Sequence, residues 1–330
     1  MSNYSPKVSI WCPSYNHEKY IAQAIEGFLM QKVNFPIEII IHDDASTDKT
    51  AQVIKEYEVK YPYLLKCIYQ SENQLSKDGG YLTKTCLQIA SGKYIALCEG
   101  DDYWTDPHKL QKQVDFLEKN EGFAICFHNM KIIYDDSRET HYSNPPDQRE
   151  LTTLEDLACG NYIYTASCVF RNGLIKEFPT WYKDAPVGDY VLHMLNAQYG
   201  KIKYFDEVMG VYRVHKDGIW ENNNFIFRIE KWIELLELMK NHFTTEVNDI
   251  LIQTQSNHYS NLIKHYQNNS EKCKYYSKLK IDSNPYLIVE LNKQIEDLLE
   301  KNAILLNSNT YKAGAFLLKP YSILKRLLNA

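Results

Sequence analysis

No two cysteines in this chain stand as a C-x-x-C pair, and no His/Cys cluster has the spacing of a zinc centre. No uninterrupted apolar run approaches the ~20 residues of a membrane-spanning helix. These absences argue against a redox motif, a structural zinc and an integral membrane protein. Charge of one sign is also missing: 37 Lys and Arg against 42 Asp and Glu leave a net charge of −5, without the basic footprint of a nucleic-acid binder. Gly (13) and Pro (11) are too few among 330 residues for a collagen-like or low-complexity chain, and no internal repeat is evident. The opening MSNYSPKVSI has no basic region followed by an apolar stretch, so no signal peptide is expected. Most of the eight cysteines lie inside apolar runs, as buried free thiols do, which fits a reducing, cytoplasmic setting. What is present, 44% hydrophobic and 24% charged residues, suffices to bury a sizeable core without staples.

Short β-branched runs alternate with helical periodicity from the N-terminus, the pattern of a mostly parallel sheet covered by helices. Val8–Cys12 reads as a first strand, followed by a helix from near Asn16 that places Ile21, Ala24, Ile25 and Phe28 on one face. Strands at Ile37–Ile41, Leu64–Tyr69 and Tyr94–Leu97 and helices at about 48–59 and 82–90 complete three β-α units, with Gly92 expected to close the last helix. The polar run 135–149 reads as a long surface loop, Tyr164–Phe170 and Lys201–Phe205 as strands, and 189–199 as a helix. Past Trp220 the strand signals stop, and Phe225–Met239 and Tyr286–Leu305 read as amphipathic helices, the second opened by Asn284-Pro285. The expected organisation is a domain over 1–222, with halves of about 1–105 and 106–222, and a helical extension over 223–330.

In a parallel α/β sheet, ligands bind beyond the carboxyl ends of the strands, near a switch in strand order. Three groups stand at such ends: Pro13-Ser14-Tyr15-Asn16, Asp43-Asp44-Ala45-Ser46-Thr47-Asp48, and Glu99-Gly100-Asp101-Asp102-Tyr103-Trp104. Any one of them could simply cap a helix or satisfy free backbone N–H groups. Together they bring carboxylates into one crevice, which is tolerable where a cation shares it, and hard carboxylate oxygens suit Mg²⁺ or Mn²⁺. A divalent ion there points to a phosphorylated partner.

The segments VSIWCPSYNHEKYIAQAIEGFLMQ, EIIIHDDASTDKT and SGKYIALCEGDDYWTDPHKLQKQVDFL, with VGDYVLHMLNAQYGKI and YRVH more loosely, resemble the family 2 glycosyltransferases, nucleotide-sugar enzymes of the GT-A fold. The resemblance runs from about Val8 to Val214. It implies an α/β, Rossmann-like, mostly parallel sheet flanked by helices, with a C-terminal helical extension. It implies that Pro13, Tyr15 and Asn16 border the nucleotide, that Asp44 accepts a hydrogen bond from the base, and that Asp101 and Asp102 form the acidic motif, with Asp102 holding Mn²⁺ or Mg²⁺ on the diphosphate. Asp189 matches the general base, and His215 resembles a late histidine that reaches the metal or the diphosphate. A helix-capping Asp189 and a merely hydrogen-bonded His215 are the alternatives. Tyr103 and Trp104 would wall the sugar pocket or pack in the core, Arg171 and Trp181 would line the acceptor side, and Lys84 would reach a phosphate or lie exposed.

The implied reaction is a single displacement with inversion from a nucleotide-sugar donor, UDP-linked, to a saccharide or lipid-linked saccharide of a surface polysaccharide. The implied ion neutralises the leaving diphosphate and one carboxylate takes the acceptor's proton. The pattern is broken at Gly188, where many relatives carry Glu, and at Ala45, where glycine is common, so positive φ is not expected there. No Q-x-x-R-W occurs, against the processive synthases of the family. Two rivals are a sugar nucleotidyltransferase, which would need a Gly/Arg-rich loop after the first strand, and a non-catalytic saccharide-binding relative. The final twenty residues hold Lys312, Lys319, Lys325 and Arg326 and no acid, so 311–330 reads as a peripheral contact with anionic membrane or as a helix packed on the protein.

Overall fold

The computed structural model describes residues 5–216, 218, 220 and 223–307. Its strands are β1 (Val8–Ser14), β2 (Ile37–Asp43), β3 (Leu65–Tyr69), β4 (Tyr94–Leu97), β5 (Tyr103–Trp104), β6 (Phe123–Tyr134), β7 (His141–Tyr142), β8 (Leu151–Thr152), β9 (Val169–Arg171) and β10 (Lys201–Val214). Its helices are α1 (Ile21–Leu29), α2 (Thr50–Lys60), α3 (Tyr81–Ile89), α4 (Lys109–Lys119), α5 (Leu154–Ala158), α6 (Gly188–Ala197), α7 (Phe225–Met239), α8 (Thr245–His265), α9 (Ser270–Ser283) and α10 (Pro285–Asn307). The main sheet runs β3-β2-β1-β4-β9-β6-β10-β5. β1 pairs in parallel with β2 on one side and β4 on the other, starting at Val8↔Ile37 and Val8↔Tyr94. The chain therefore lays β2 and β3 to one side of β1 and then returns to the other, which opens a crevice at the carboxyl ends of β1 and β4.

Alternation along the strands builds two cores, one on each face of the sheet. Ile10, Ile39 and Tyr94 pack with Ile25 and Phe28 of α1 and Leu110 and Val114 of α4. Trp11, Ile40 and Ile95 face the opposite way, onto Cys86 of α3 and Tyr190, Val191 and Met194 of α6. Because the central strands are covered on both faces, they read as continuous apolar runs. The first three β-α units lie within two residues of their expected bounds at nearly every end, the start of α1 excepted, and Asn284 Oδ1 accepts the Tyr286 N–H at 3.1 Å at the start of α10.

Four expectations change. Gly92 does not end α3 in a left-handed cap; a Cβ there would lie 2.5 Å from Ser9 N and 2.8 Å from Val8 C, so it is glycine because two backbones meet. Ala45 does adopt positive φ, at 64°, because the chain folds back so that Ser46 N–H donates to Asp43 Oδ2 at 3.2 Å. The strand expected at Tyr164–Phe170 is a 3-10 turn over Thr165–Ser167 followed by β9, and Lys201–Phe205 is only the start of the long β10. The compact unit does not stop near residue 222 but runs to His258, because Leu235, Leu236 and Met239 of α7 and Val247 and Leu251 of α8 join the core on the Trp11 face. A second unit starts at Tyr259; within it Tyr266 and Tyr276 stack at 5.7 Å and Asn269 Oδ1 accepts the Lys272 N–H at the start of α9. Residues 311–330, read as a membrane-contacting tail, lie outside the described residues. Among the described residues no helix is long and apolar enough to cross a membrane. All eight cysteines are free, five of them buried.

Candidate active site

A cavity of about 650 Å³ opens at the switch between β1 and β4. Pro13 and Tyr15 line one end with Asp44 and Leu75; Glu99, Asp101, Asp102 and His215 line the middle, and Asp189 approaches from the start of α6. Three loops that are far apart in sequence meet there because β1, β4 and β10 all end at the same edge.

At the first end, Tyr15 is 40% exposed. Asp44 is buried, and its two oxygens accept the backbone N–H groups of Gln74 (2.8 Å) and Leu75 (3.0 Å). Each oxygen keeps a second lone pair, so Asp44 both orders the 73–76 loop and retains acceptor capacity. Asn16 does not line the cavity. It sits at φ 58°, and its Oδ1 accepts from Thr47 N (2.8 Å) and Thr47 Oγ1 (3.2 Å), tying the loop after β1 to the loop after β2. Asn tolerates this left-handed backbone better than most residues.

The middle of the cavity is acidic. Asp102 is buried and its Oδ1 accepts the Arg213 N–H of β10 at 2.8 Å. Burial, then the charges of Asp101 and Glu99, push its carboxyl well above the ordinary value. Asp101 Oδ2 lies 3.0 Å from His215 Nε2 and 3.5 Å from His17 Nε2. Burial raises Asp101, but the His215 hydrogen bond and the two imidazoles hold it below the usual carboxylate range. Glu99 is pushed up to about 8 by burial and by Asp101 and Asp189, and its Oε2 is buried without a partner. Burial lowers the His17 imidazole, outweighing the attraction of Asp101. Arg213 donates to the Asp101 carbonyl and to Gln23 Oε1 (2.8 Å), with Tyr20 and Tyr103 at 4.5 and 5.1 Å from its guanidinium carbon.

Asp189 is the second residue of α6, whose N-cap is Val187, so it is not the cap itself. Its Oδ1 accepts the Tyr190 N–H at 2.8 Å and its Oδ2 accepts the Thr165 hydroxyl at 3.0 Å. A carboxylate in a first turn also gains from the helix dipole.

Other expected residues stand elsewhere. Trp104 does not wall the cavity: it is 1% exposed, packs on Phe28 at 4.9 Å, and donates from Nε1 to the Ala166 carbonyl at 2.8 Å. Tyr103 lies beside Arg213 rather than on the cavity wall. Arg171 is not on an acceptor face; its guanidinium is taken up by the carbonyls of Phe123, Leu117 and Asn120 and by Tyr94 Oη. Trp181 packs on His242 at 5.1 Å, outside the cavity lining, and Lys84 pairs with Asp78 at 3.2 Å. Sequence reasoning assigned no role to His17, Glu99, Thr165, Trp220 or Trp232, all of which line the cavity. Glu99 had a signal, two residues before the acidic pair; Thr165 and the tryptophans had none.

Among the described residues no group of three or more His, Cys, Asp or Glu side chains forms a metal cage by itself. The residues nonetheless fit a hard cation shared with phosphate, because Mg²⁺-type sites use one or two carboxylates and leave other positions to the substrate. Asp102, Asp101 and His215 supply that partial set, and burial first, then the neighbouring carboxylates, raises the carboxyls of Asp102 and Glu99.

Residues 9–178 match the sequence profile described as Glycosyl transferase family 2; Asp189 and His215 lie beyond the match. The Mycobacterium tuberculosis protein Rv1520 is 41% identical over 219 residues, 65% of this chain and 61% of that protein, so this chain spans about three fifths of that relative's length. Escherichia coli WfaP, named a UDP-Glc:alpha-D-GlcNAc-diphosphoundecaprenol beta-1,3-glucosyltransferase, is 31% identical over 218 residues, 65% of this chain and 80% of WfaP. The fold matches that of S. aureus TarS residues 1–349 in complex with UDP-GlcNAc, with TM-score 0.57, 21% identity, and coverage of 77% of this chain and 73% of that one. It also matches the mannosyltransferase PcManGT of Pyrobaculum calidifontis in complex with GDP-Man and Mn²⁺, with TM-score 0.54, 17% identity, and coverage of 94% and 83%. The profile covers more than half of the chain and WfaP is matched over 80% of its length. By these measures the chain belongs to glycosyl transferase family 2.

Proposed function

We propose that this chain transfers a sugar from a UDP-linked donor to a saccharide or lipid-linked saccharide in surface-polysaccharide assembly, with inversion at the anomeric carbon. The observation that carries the reading is the presence, in one cavity, of the Asp101-Asp102 cluster and of a separate carboxylate, Asp189, on another element. The relative WfaP, by its name, uses UDP-Glc and a diphosphoundecaprenol acceptor, which supports both substrate classes.

Pro13 and Tyr15 offer a nonpolar edge for the base, and Asp44 offers acceptor lone pairs. Asp102, Asp101 and His215 would hold a divalent Mg²⁺ or Mn²⁺, which when bound supplies the positive charge that a departing diphosphate requires. Asp189 accepts the proton of the acceptor hydroxyl as the new bond forms. One base and no second carboxylate assigned as nucleophile make the step a single displacement, hence inverting.

Thermal unfolding with UDP, dTDP, GDP and CDP, each with and without Mn²⁺, tests the reading, since a ligand of the folded state raises its stability by mass action. A shift with UDP that requires Mn²⁺ is expected, followed by transfer from a UDP-sugar. No shift with any nucleotide would return the chain to the non-catalytic saccharide-binding reading.

A further inference from the structure

Asp189 is held by two donors of different kinds. Tyr190 N–H is a backbone group of α6 and would be there for any residue but proline at position 190; Thr165 Oγ1 comes from another part of the chain and reaches Asp189 Oδ2 at 3.0 Å. Thr165 stands on a three-residue 3-10 turn, Thr165–Ser167, outside the strand ladder. The turn rests on the sheet through Ala166, buried in the core with Met130 and Val169, and through Leu97 N–H of β4, which donates to the Cys168 carbonyl at 3.3 Å; buried side chains then hold its carbonyls. Trp104 Nε1 donates to the Ala166 carbonyl at 2.8 Å, and Gln113 Nε2 donates to the Ser167 carbonyl at 3.0 Å. Gln113 is itself oriented by Lys109, whose Nζ donates to Gln113 Oε1 at 2.8 Å while lying 4.0 Å from the centre of the Trp104 ring. Trp104, Lys109 and Gln113 are all buried. Trp104 and Gln113 each donate to a carbonyl of this turn, Gln113 Nε2 also to the Cys126 carbonyl of β6 at 3.3 Å, and a buried donor that is so placed fixes its acceptor, because leaving either group unpaired is costly.

We propose that Thr165 is the positioning residue for Asp189, and that Trp104, Lys109 and Gln113 are the rigid support that holds Thr165 in place. The inference rests on the reading of Asp189 as the proton acceptor. A base must be oriented without losing its basicity. A cationic donor at this distance would depress a carboxylate by roughly 1–3 pKa units and make it a poorer base, whereas a neutral hydroxyl orients it at far smaller loss. With one lone pair of each oxygen engaged, by Thr165 and by Tyr190 N–H, the carboxylate plane is set and the remaining lone pairs stay available to an acceptor hydroxyl. The run from Asp101 to Gln113 thus serves both sides of the cavity, through its carboxylates directly and through Trp104 and Gln113 by way of the turn.

The experiment compares wild type, Thr165→Val, Thr165→Ser and Asp189→Asn in steady-state transfer from the UDP-sugar and in nucleotide binding. Thr165→Val keeps the branched shape and removes the donor; kcat should fall about 10–100-fold, the effect of a small misplacement of a reacting group, with donor KM and UDP affinity within about twofold. Thr165→Ser, which keeps the hydroxyl, should recover most of kcat. An unchanged kcat in Thr165→Val, a serine variant no better than valine, or a loss of UDP affinity parallel to kcat would each overturn the positioning role. Asp189→Asn separates this from the underlying reading. Turnover that survives in Asp189→Asn removes the base, and the inference with it; an inactive Asp189→Asn beside an unaffected Thr165→Val removes only the inference.

Discussion

His215 Nε2 lies 3.0 Å from Asp101 Oδ2, and His17 Nε2 lies 3.5 Å from the same oxygen, so one carboxylate after β4 is gripped by imidazoles from the first loop and from the end of β10. The three residues come together only when β1, β4 and β10 are all in the sheet. Asp102, next in sequence, has a different environment: its Oδ1 accepts the backbone N–H of Arg213 at 2.8 Å, and the Arg213 charge lowers its carboxyl less than burial and the neighbouring carboxylates raise it. The pair is therefore divided: Asp101 is hydrogen-bonded by His215 with His17 close by and is held low, whereas burial and the neighbouring Asp101 and Glu99 raise Asp102.

Asp102→Asn should abolish the Mn²⁺-dependent part of UDP binding while leaving the metal-free part. Titration calorimetry with and without Mn²⁺ reads the difference. A metal-dependent increment that persists in the variant would place the ion on other residues.

Lys109 supplies a test of the buried support by pH. Burial lowers its ammonium from 10.5 to about 8. Between about pH 8 and 10.5 the unfolded chain then binds more protons than the folded one, so this group makes stability rise with pH across that window, and its penalty is full below pH 8. The wild-type minus Lys109→Met difference in urea-unfolding stability should rise across that window, while the buried cysteines and tyrosines, raised by burial, pull both curves down together. Parallel curves would assign the titration to another group.

Trp104→Phe keeps a ring in the core and removes the donor to the Ala166 carbonyl. A buried acceptor left unpaired costs about 1–3 kcal/mol, so the urea midpoint should fall. Because the same hydrogen bond sets the Thr165 turn, kcat should fall as well with UDP affinity held; lower stability at full kcat would detach the turn from catalysis.

Gly92→Ala should destabilise by about 1–3 kcal/mol, the range of an overpacked site, because the two nearest atoms its Cβ meets are backbone of Ser9 and Val8 and cannot rotate away. A melting temperature within a degree of wild type would show that β1 and the 91–93 turn can separate.

The basic run 311–330 predicts that the full chain sediments with anionic vesicles at low salt and is released as salt rises, whereas a chain ending at Ser308 does not sediment. Equal sedimentation of the two would remove the membrane contact.

Elements with a clean period are legible in the sequence. β1, β2 and β4 carry continuous apolar runs because both faces are covered, and α1 repeats its apolar residues at helical spacing because one face meets the sheet. The acidic pair was legible too, since its residue type at a strand end is itself the chemistry. Residues whose role depends on a partner far along the chain were not. Arg171 looks like any cation near a site until the carbonyls of Leu117 and Asn120 are seen to occupy it. Trp104 looks like a sugar wall until Ala166 accepts its N–H. Ala45 shows no glycine to announce positive φ, because the local hydrogen bonds of Asp43 and Ser46 offset the strain instead.

Local periodicity and residue type, which act over one strand or one turn, determined the β-α order, the sheet class and the place of Asp44, Asp101, Asp102 and Asp189 at element ends. Only the tertiary structure decided which of those carboxylates share a cavity, that His17, Glu99 and Thr165 join them, and that Asn16, Trp104 and Arg171 serve the framework. The reason is that a hydrogen bond or a buried charge is defined by its partner. For this site the partners are brought within reach by the pairing of strands that lie, as Asp101 and Arg213 do, more than a hundred residues apart.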